Sequence, residues 1–176
     1  HHLNNFNHFF LRHLIKAFLN MKESDFQAEL LKSLRTQGCY AEKIPDAPTS
    51  KMKGLRFTLP KPFDIFASVN GQFVAIECKQ IKKFEAFGLS HMRPSQIEHL
   101  SKVIQKGGRA FVFLNVRIKP SVAKQIKHEN RLLIFDWGVW HERWKIESLK
   151  KKDIEERPFI QGFDHYYDLN EWKILI

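Results

Sequence analysis

The sequence predicts an α/β domain, and three observations carry that prediction. Two apolar, β-rich runs, PFDIFASV and QFVAIECK, are joined by Asn70-Gly71, the strongest short hairpin signal available. A helix-patterned segment then separates this hairpin from a third buried run, RAFVFLNVRI (109–118), and helices alternating with central strands mark the α/β class. With 43% apolar residues and 16 Phe in 176 residues, the chain has ample material for a buried core, which excludes an intrinsically disordered protein. The length suits one domain, read here as residues 21–176, with residues 1–20 as an N-terminal extension.

In that extension Leu3, Phe6, Phe10, Leu14 and Phe18 fall at helical spacing, so it reads as an amphipathic helix, a tag or upstream sequence. Four of the nine histidines lie within its first 13 residues, a tag-like or local feature rather than a metal cluster. SDFQAELLKSLRTQG then reads as a helix, with Ser24 and Gln27 as a capping box, Phe26, Leu30 and Leu34 on one stripe, and Gly38 just past the end. CYAEKIP (39–45) reads as a short strand. Residues 46–62 carry Lys51, Lys53, Arg56 and Lys61 with no acid after Asp46, and form a basic loop or protruding hairpin. Beyond the Asn70-Gly71 hairpin, PSQIEHLSKVIQKGG is a helix with Ile97, Leu100 and Ile104 inward and Gly107 past its end. SVAKQIKHEN reads as helical, RLLIFDW (131–137) as a strand, and a charged stretch around 141–156 as helical, before an aromatic-rich tail. Trp137, Trp140 and Trp144 read as core or dimer packing.

Lys and Arg number 29 against 19 Asp and Glu, a formal +10, which suits a polyanionic partner: nucleic acid first, an anionic membrane surface second. Cys39 and Cys78 lie far apart with no CxxC, so neither a disulfide framework nor a cysteine zinc site is expected, and a reducing compartment fits. No apolar run approaches the ~20 residues of a membrane span. Ser90 and Thr49 have no base partner visible in sequence, so a hydroxyl nucleophile is unsupported.

The chemistry concentrates in the hairpin. With a two-residue loop at Asn70-Gly71, Val69 faces Gln72 and Asp64 faces Glu77. Like charges directly opposed across strands repel unless something cationic lies between them. Alternation puts Phe73, Ala75, Glu77 and Lys79 on one face, so Glu77 and Lys79 project together from the strand end. Two carboxylates are hard oxygen ligands suited to Mg²⁺ or Mn²⁺, and the adjacent ammonium can neutralise charge developing on a phosphate. A lone ExK is common on protein surfaces; the register, the apolar context and the basic balance single out this one.

Asp64 followed by Glu77-Cys78-Lys79 across a hairpin resembles the PD-(D/E)xK nuclease motif, with Pro62 one place earlier than the usual proline. FGLSHMRPSQIEHLSKVIQKGGRAFVFLNV is similar to the matching stretch of RecU-type Holliday junction resolvases, and archaeal-type resolvases share the same core, so the subfamily stays open between the two. The resemblance implies a restriction-endonuclease-like α/β fold, a central mixed sheet flanked by helices, and a DNA endonuclease that nicks four-way junctions symmetrically as a homodimer. It implies Mg²⁺ as cofactor, with Mn²⁺ able to substitute, held by Asp64, Glu77, Gln96 and Glu29. Lys79 is the transition-state cation in this scheme, and Glu29, on the first helix, completes the acidic cluster. Lys61-Pro62-Phe63 replaces the family's short Thr-containing run, which leaves a threonine ligand without a counterpart. Lys51, Lys53, Arg56 and Lys61 of the basic loop, with Lys82 and Lys83 after the ExK strand, are the DNA-binding candidates. The expected setting is cytoplasmic, at the nucleoid or in the host cytoplasm if the chain is viral. The rival readings are a sequence-specific or repair endonuclease on the same fold, and an inactive DNA-binding protein.

Overall fold

The computed structural model describes residues 22–46, 61–118 and 129–156. Five strands form one mixed sheet in chain order: β1 (Tyr40–Lys43), β2 (Ile65–Val69), β3 (Gln72–Ile81), β4 (Arg109–Ile118) and β5 (Glu129–Asp136). Neighbours are antiparallel except β3 and β4, which run parallel. Parallel strands need a crossover, and it is supplied by a 3₁₀ turn (Leu89–His91) and the helix α2 (Pro94–Gln105). Helix α1 (Glu23–Thr36) precedes β1, and α3 (Trp137–Ile146) and α4 (Lys151–Glu156) follow β5.

The helices cover both faces. Phe26, Leu30 and Leu34 of α1 are buried against Ile65, Ile76, Cys78, Phe111 and Phe113, the inward positions of β2, β3 and β4. On the other face Leu100 of α2, Trp137 and Trp144 of α3 and Ile154 of α4 pack on Ala75, Val112, Leu114 and Phe135. This is the α/β layering expected, a mixed sheet between helices. It also explains why β4 carries the run AFVFL (110–114) without polar alternation, since a strand covered on both faces needs none.

Local sequence sets most boundaries. Gly38 and Gly107 take φ of 83° and 82° just past α1 and α2, and the returning bonds Cys39 N–H to Leu34 O and Gly108 N–H to Val103 O, both 3.0 Å, close each helix end. The start of α1 departs from the Ser24 capping box. The helix opens at Glu23, and it is Asp25 whose carboxylate accepts the Lys22 N–H. An ionised carboxylate in the first turn satisfies the orphan donor and the positive end of the helix better than a hydroxyl one residue later.

Three further boundaries move. Glu129 and Asn130 belong to β5 rather than to a preceding helix, because they continue its pairing with Ile118 and Arg117; residues 121–128, the rest of that expected helix, lie outside the described residues. Trp137 opens α3 instead of closing β5, because the Asp136 carboxylate accepts the Gly138 N–H (2.9 Å) and caps the helix. The charged stretch is two helices, interrupted where Leu149 pairs with Phe87 through two backbone bonds. Trp137 and Trp144 are buried in the core with Phe87 and Phe135, so the packing reading holds for both. None of the helices among the described residues is long and apolar enough to cross a membrane.

Candidate active site

Asn70 and Gly71 both take positive φ, 52° and 78°, and the turn sets the ladder from Val69–Gln72 to Ile65–Ile76, the register of a two-residue loop. The next pair, Asp64 opposite Glu77, does not form as a direct opposition. At Asp64 the chain leaves the ladder: its N–H donates to Ile76 O (3.1 Å) and its C=O accepts the Ile44 N–H (2.8 Å). Its carboxylate Oδ2 then accepts the Cys78 N–H at 2.8 Å. A strict ladder would have held two carboxylates face to face. The bend instead gives one Asp64 oxygen a backbone donor and turns the other, Oδ1, to the Lys61 ammonium at 2.9 Å.

Glu77 is 1% exposed. Its Oε1 accepts from Lys79 Nζ at 3.0 Å and from Gln96 Nε2, while Oε2 is buried with no partner among the described residues. Burial chiefly, with the Asp64 charge added, lifts the Glu77 pKa from 4.5 to about 7, against the opposing pull of Lys79. Gln96 is buried at the start of α2, where its Oε1 accepts the Arg93 N–H (2.9 Å), closing the helix end, and also accepts Lys79 Nζ (3.2 Å). The amide therefore ties Glu77 and Lys79 to the α2 terminus and fixes both.

The raised pKa has a consequence for stability. Between pH 4.5 and about 7 the folded chain retains a proton on Glu77 that the unfolded chain has lost, so this contribution is complete below pH 4.5 and is lost as pH rises toward 7. In EDTA, Glu77→Gln is expected to be more stable than the wild type at pH 8 by roughly 2–3 kcal/mol, the gap closing toward pH 5. Urea unfolding at the two pH values measures it, and an equal gap at both would show that Glu77 does not titrate in this range.

The acid that α1 brings to this cluster is Glu23, which sequence reasoning missed. Its Oε2 accepts the Gln80 N–H at 3.1 Å, one residue past Lys79. Burial raises its pKa first of all, Lys79 and Arg93 lower it, and Asp64 raises it, which places Glu23 within the field of the same groups. Glu29, the expected member, is two turns along the helix and buried in an ion pair with Arg117 of β4, Nη2 to Oε2 at 2.8 Å. The correction follows from where α1 starts: with Glu23 in the first turn, the helix terminus meets the end of β3, and its middle lies over β4. Only the first-turn acids of the ESD run could have signalled this.

Glu29→Gln is accordingly expected to cost ~3 kcal/mol of stability by leaving a buried guanidinium poorly compensated, while Glu23→Gln weakens divalent-cation binding and leaves stability nearly unchanged. Thermal melting beside Mn²⁺ calorimetry separates the two; the reverse pattern would restore Glu29 to the site.

Lys61 also departs from expectation. Rather than offering a free ammonium to DNA, it is 9% exposed and paired with Asp64 and with Asp46 Oδ1 (3.2 Å). Burial alone would lower its pKa, but bonding to Asp64 and Asp46 outweighs that and leaves it above the ordinary lysine value. Lys82 and Lys83 are exposed just beyond β3, as a DNA-contacting role requires, with Lys83 3.3 Å from Glu85. Lys51, Lys53 and Arg56 lie outside the described residues.

Among the described residues no three His, Cys, Asp or Glu side chains converge as a ready-made metal cage. Mg²⁺ rarely uses one, being held by one or two carboxylates with water and substrate phosphate completing its shell. Asp64 and Glu77 fit that pattern. Glu77 Oε2, buried with no partner among the described residues, is an acceptor open to a cation, and oxygen donors of this kind suit a hard metal rather than a soft one.

A family model described as Recombination protein U (RecU) matches residues 45–158. The protein named Holliday junction resolvase RecU of Geobacillus sp. (strain WCH70) is 26% identical over 125 residues, 71% of this chain and 57% of that protein. The chain thus spans little more than half the length of this relative. Hjc, a Holliday junction resolvase from the archaeal hyperthermophile Archaeoglobus fulgidus, aligns at 17% identity with a TM-score of 0.37, covering 74% of this chain and 98% of Hjc, a likeness too loose to argue from. The family match takes in Asp64, Glu77, Lys79 and Gln96 within well over half of the sequence, and on that ground the chain belongs to the RecU family.

Proposed function

We propose that this chain is a divalent-metal-dependent DNA endonuclease that resolves four-way junctions by paired nicks. The observation that carries it is the clustering of Asp64 and Lys79 about Glu77, whose buried Oε2 has no partner among the described residues, in a chain of the RecU family. Mg²⁺, or Mn²⁺ in its place, would be held by Asp64 and Glu77, with Glu23 adding negative charge at the rim. When bound it supplies Lewis-acid stabilisation of charge on the phosphate oxygens.

The chain's own residues do the rest. Lys79, fixed by Glu77 and Gln96, presents an ammonium whose position costs no reorganisation as charge builds on the phosphate. Gln96 does not touch the reacting atoms; it orients Glu77 and Lys79 from the α2 terminus. Lys82 and Lys83, exposed beyond β3, are positioned for flanking phosphates, and the +10 charge favours a polyanion. A four-way junction is two-fold symmetric and takes two opposed nicks, which a homodimer presenting two copies of this site matches. The setting consistent with a free Cys78 and a DNA substrate is a reducing, cytoplasmic one.

The deciding experiment incubates the protein with a synthetic four-way junction and with linear duplex, with and without Mg²⁺. Symmetric nicks on the junction alone, only with Mg²⁺, are expected. Equal cutting of both substrates would favour a repair endonuclease on the same fold, and tight binding with no cutting would leave a DNA-binding protein.

A further inference from the structure

Lysine ordinarily keeps its ammonium in water, yet Lys61 is 9% exposed at the point where the chain enters β2. Its Nζ lies 2.9 Å from Asp64 Oδ1 and 3.2 Å from Asp46 Oδ1. Asp64 has two oxygens. Oδ2 is engaged by the Cys78 N–H, so the ammonium occupies the oxygen left for a cation. The Asp46 side chain is 79% exposed, whereas that of Asp64 is 8% exposed. Glu77 is arranged differently: Lys79 and Gln96 share Oε1, and Oε2 is left without a partner among the described residues. One of the two metal-binding carboxylates is thus vacant toward a cation and the other is already filled.

We propose that Lys61 is a tethered counter-ion that competes with the divalent cation for Asp64, and that Asp46 is the acceptor onto which its ammonium withdraws. An ammonium and a divalent cation cannot both sit within bonding distance of one carboxylate oxygen without strong mutual repulsion. While no metal is present, Lys61 compensates a carboxylate that would otherwise add to the repulsion on Glu77 and Glu23. When metal binds, the ammonium gives up Asp64 and retains Asp46, which holds it near the site without blocking it. Lys61 is thereby a positioning residue that sets how readily the site loads, and its part in the basic loop is not to contact DNA. This rests on the metal-site reading given above.

The test is calorimetric titration of Mn²⁺ into the full chain without DNA, a readout that does not depend on cleavage. Lys61→Met is expected to tighten Mn²⁺ binding by roughly tenfold, because the competing charge next to Asp64 is gone. Lys61→Gln keeps an N–H for Asp64 without the charge, guards against a folding defect in the Met variant, and is expected to tighten binding in the same direction. Lys32→Met removes an exposed lysine on α1 that has no part in the site and should change little. Unchanged or weaker binding in both Lys61 variants, or equal tightening in Lys32→Met, overturns the proposal. If the wild type shows no Mn²⁺ binding that Asp64→Asn removes, the metal-site reading itself fails; if it does and the Lys61 variants match it, only the counter-ion role fails.

Discussion

Asp64→Asn and Glu77→Gln are each expected to lower the single-turnover rate of junction cleavage in Mg²⁺ by ~10³-fold or more, since each removes a carboxylate from the site that several kcal/mol of Lewis-acid stabilisation depends on. Binding is expected to survive. Replacing a carboxylate near the phosphate by an amide relieves repulsion, so junction affinity without metal should stay level or rise. The two variants also fail differently. Asp64→Asn disturbs the acceptor for the Cys78 N–H and the partner of Lys61, and so risks the bend at the start of β2. Glu77→Gln keeps an acceptor at Oε1 for Lys79 and Gln96 and removes a buried charge. The cleaner measurement is therefore Glu77→Gln in quench-flow cleavage beside a gel-shift titration in EDTA. A variant that cuts at the wild-type rate would remove Glu77 from the catalytic centre.

The second large effect is expected at Lys79. Lys79→Ala should reduce the single-turnover rate by ~10²–10³, the scale of losing one preorganised charge-stabilising donor, with little change in junction affinity. The structure sharpens this. Lys79 Nζ is bonded to Glu77 Oε1 and Gln96 Oε1, two side chains that hold it in a fixed direction, so its contribution is one of placement as well as charge. Lys79→Arg should then recover only a small part of the rate, because the larger planar guanidinium cannot occupy the same seat between the two acceptors. Saturating enzyme separates this from a binding defect: near-normal cleavage by Lys79→Ala under saturation would show that Lys79 only helps to hold DNA.

Much of this site was legible in sequence because it depends on local rules. The Asn70-Gly71 turn sets a register by its own backbone preferences, and that register carried Asp64 and Glu77 to neighbouring positions and put Glu77 and Lys79 on one face. Gly38 and Gly107 end their helices for reasons contained in a few residues, and the bounds of β4 follow from its apolar run. The Gln96 helix was visible by its periodicity, whereas Gln96 was singled out by resemblance alone, as a metal ligand; in the structure its amide is instead engaged by Arg93, Lys79 and Glu77 through three hydrogen bonds.

What tertiary structure decided is which charges meet. The α1 helix carries Glu23, Asp25 and Glu29, and periodicity cannot say which turn lies over the end of β3 and which over β4; the packing of Phe26, Leu30 and Leu34 settled that in favour of Glu23 and left Glu29 to Arg117. Lys61 read as one more loop cation because its neighbours in sequence are cations, but its neighbours in space are Asp46, where β1 runs out, and Asp64, where β2 begins. Turn chemistry, caps and strand periodicity act over a few residues, so one sequence determines them. The pairing of buried charges depends on which elements the folded core brings within about 4 Å, and there the cost of an uncompensated charge selects partners that are 88 residues apart for Arg117 and Glu29.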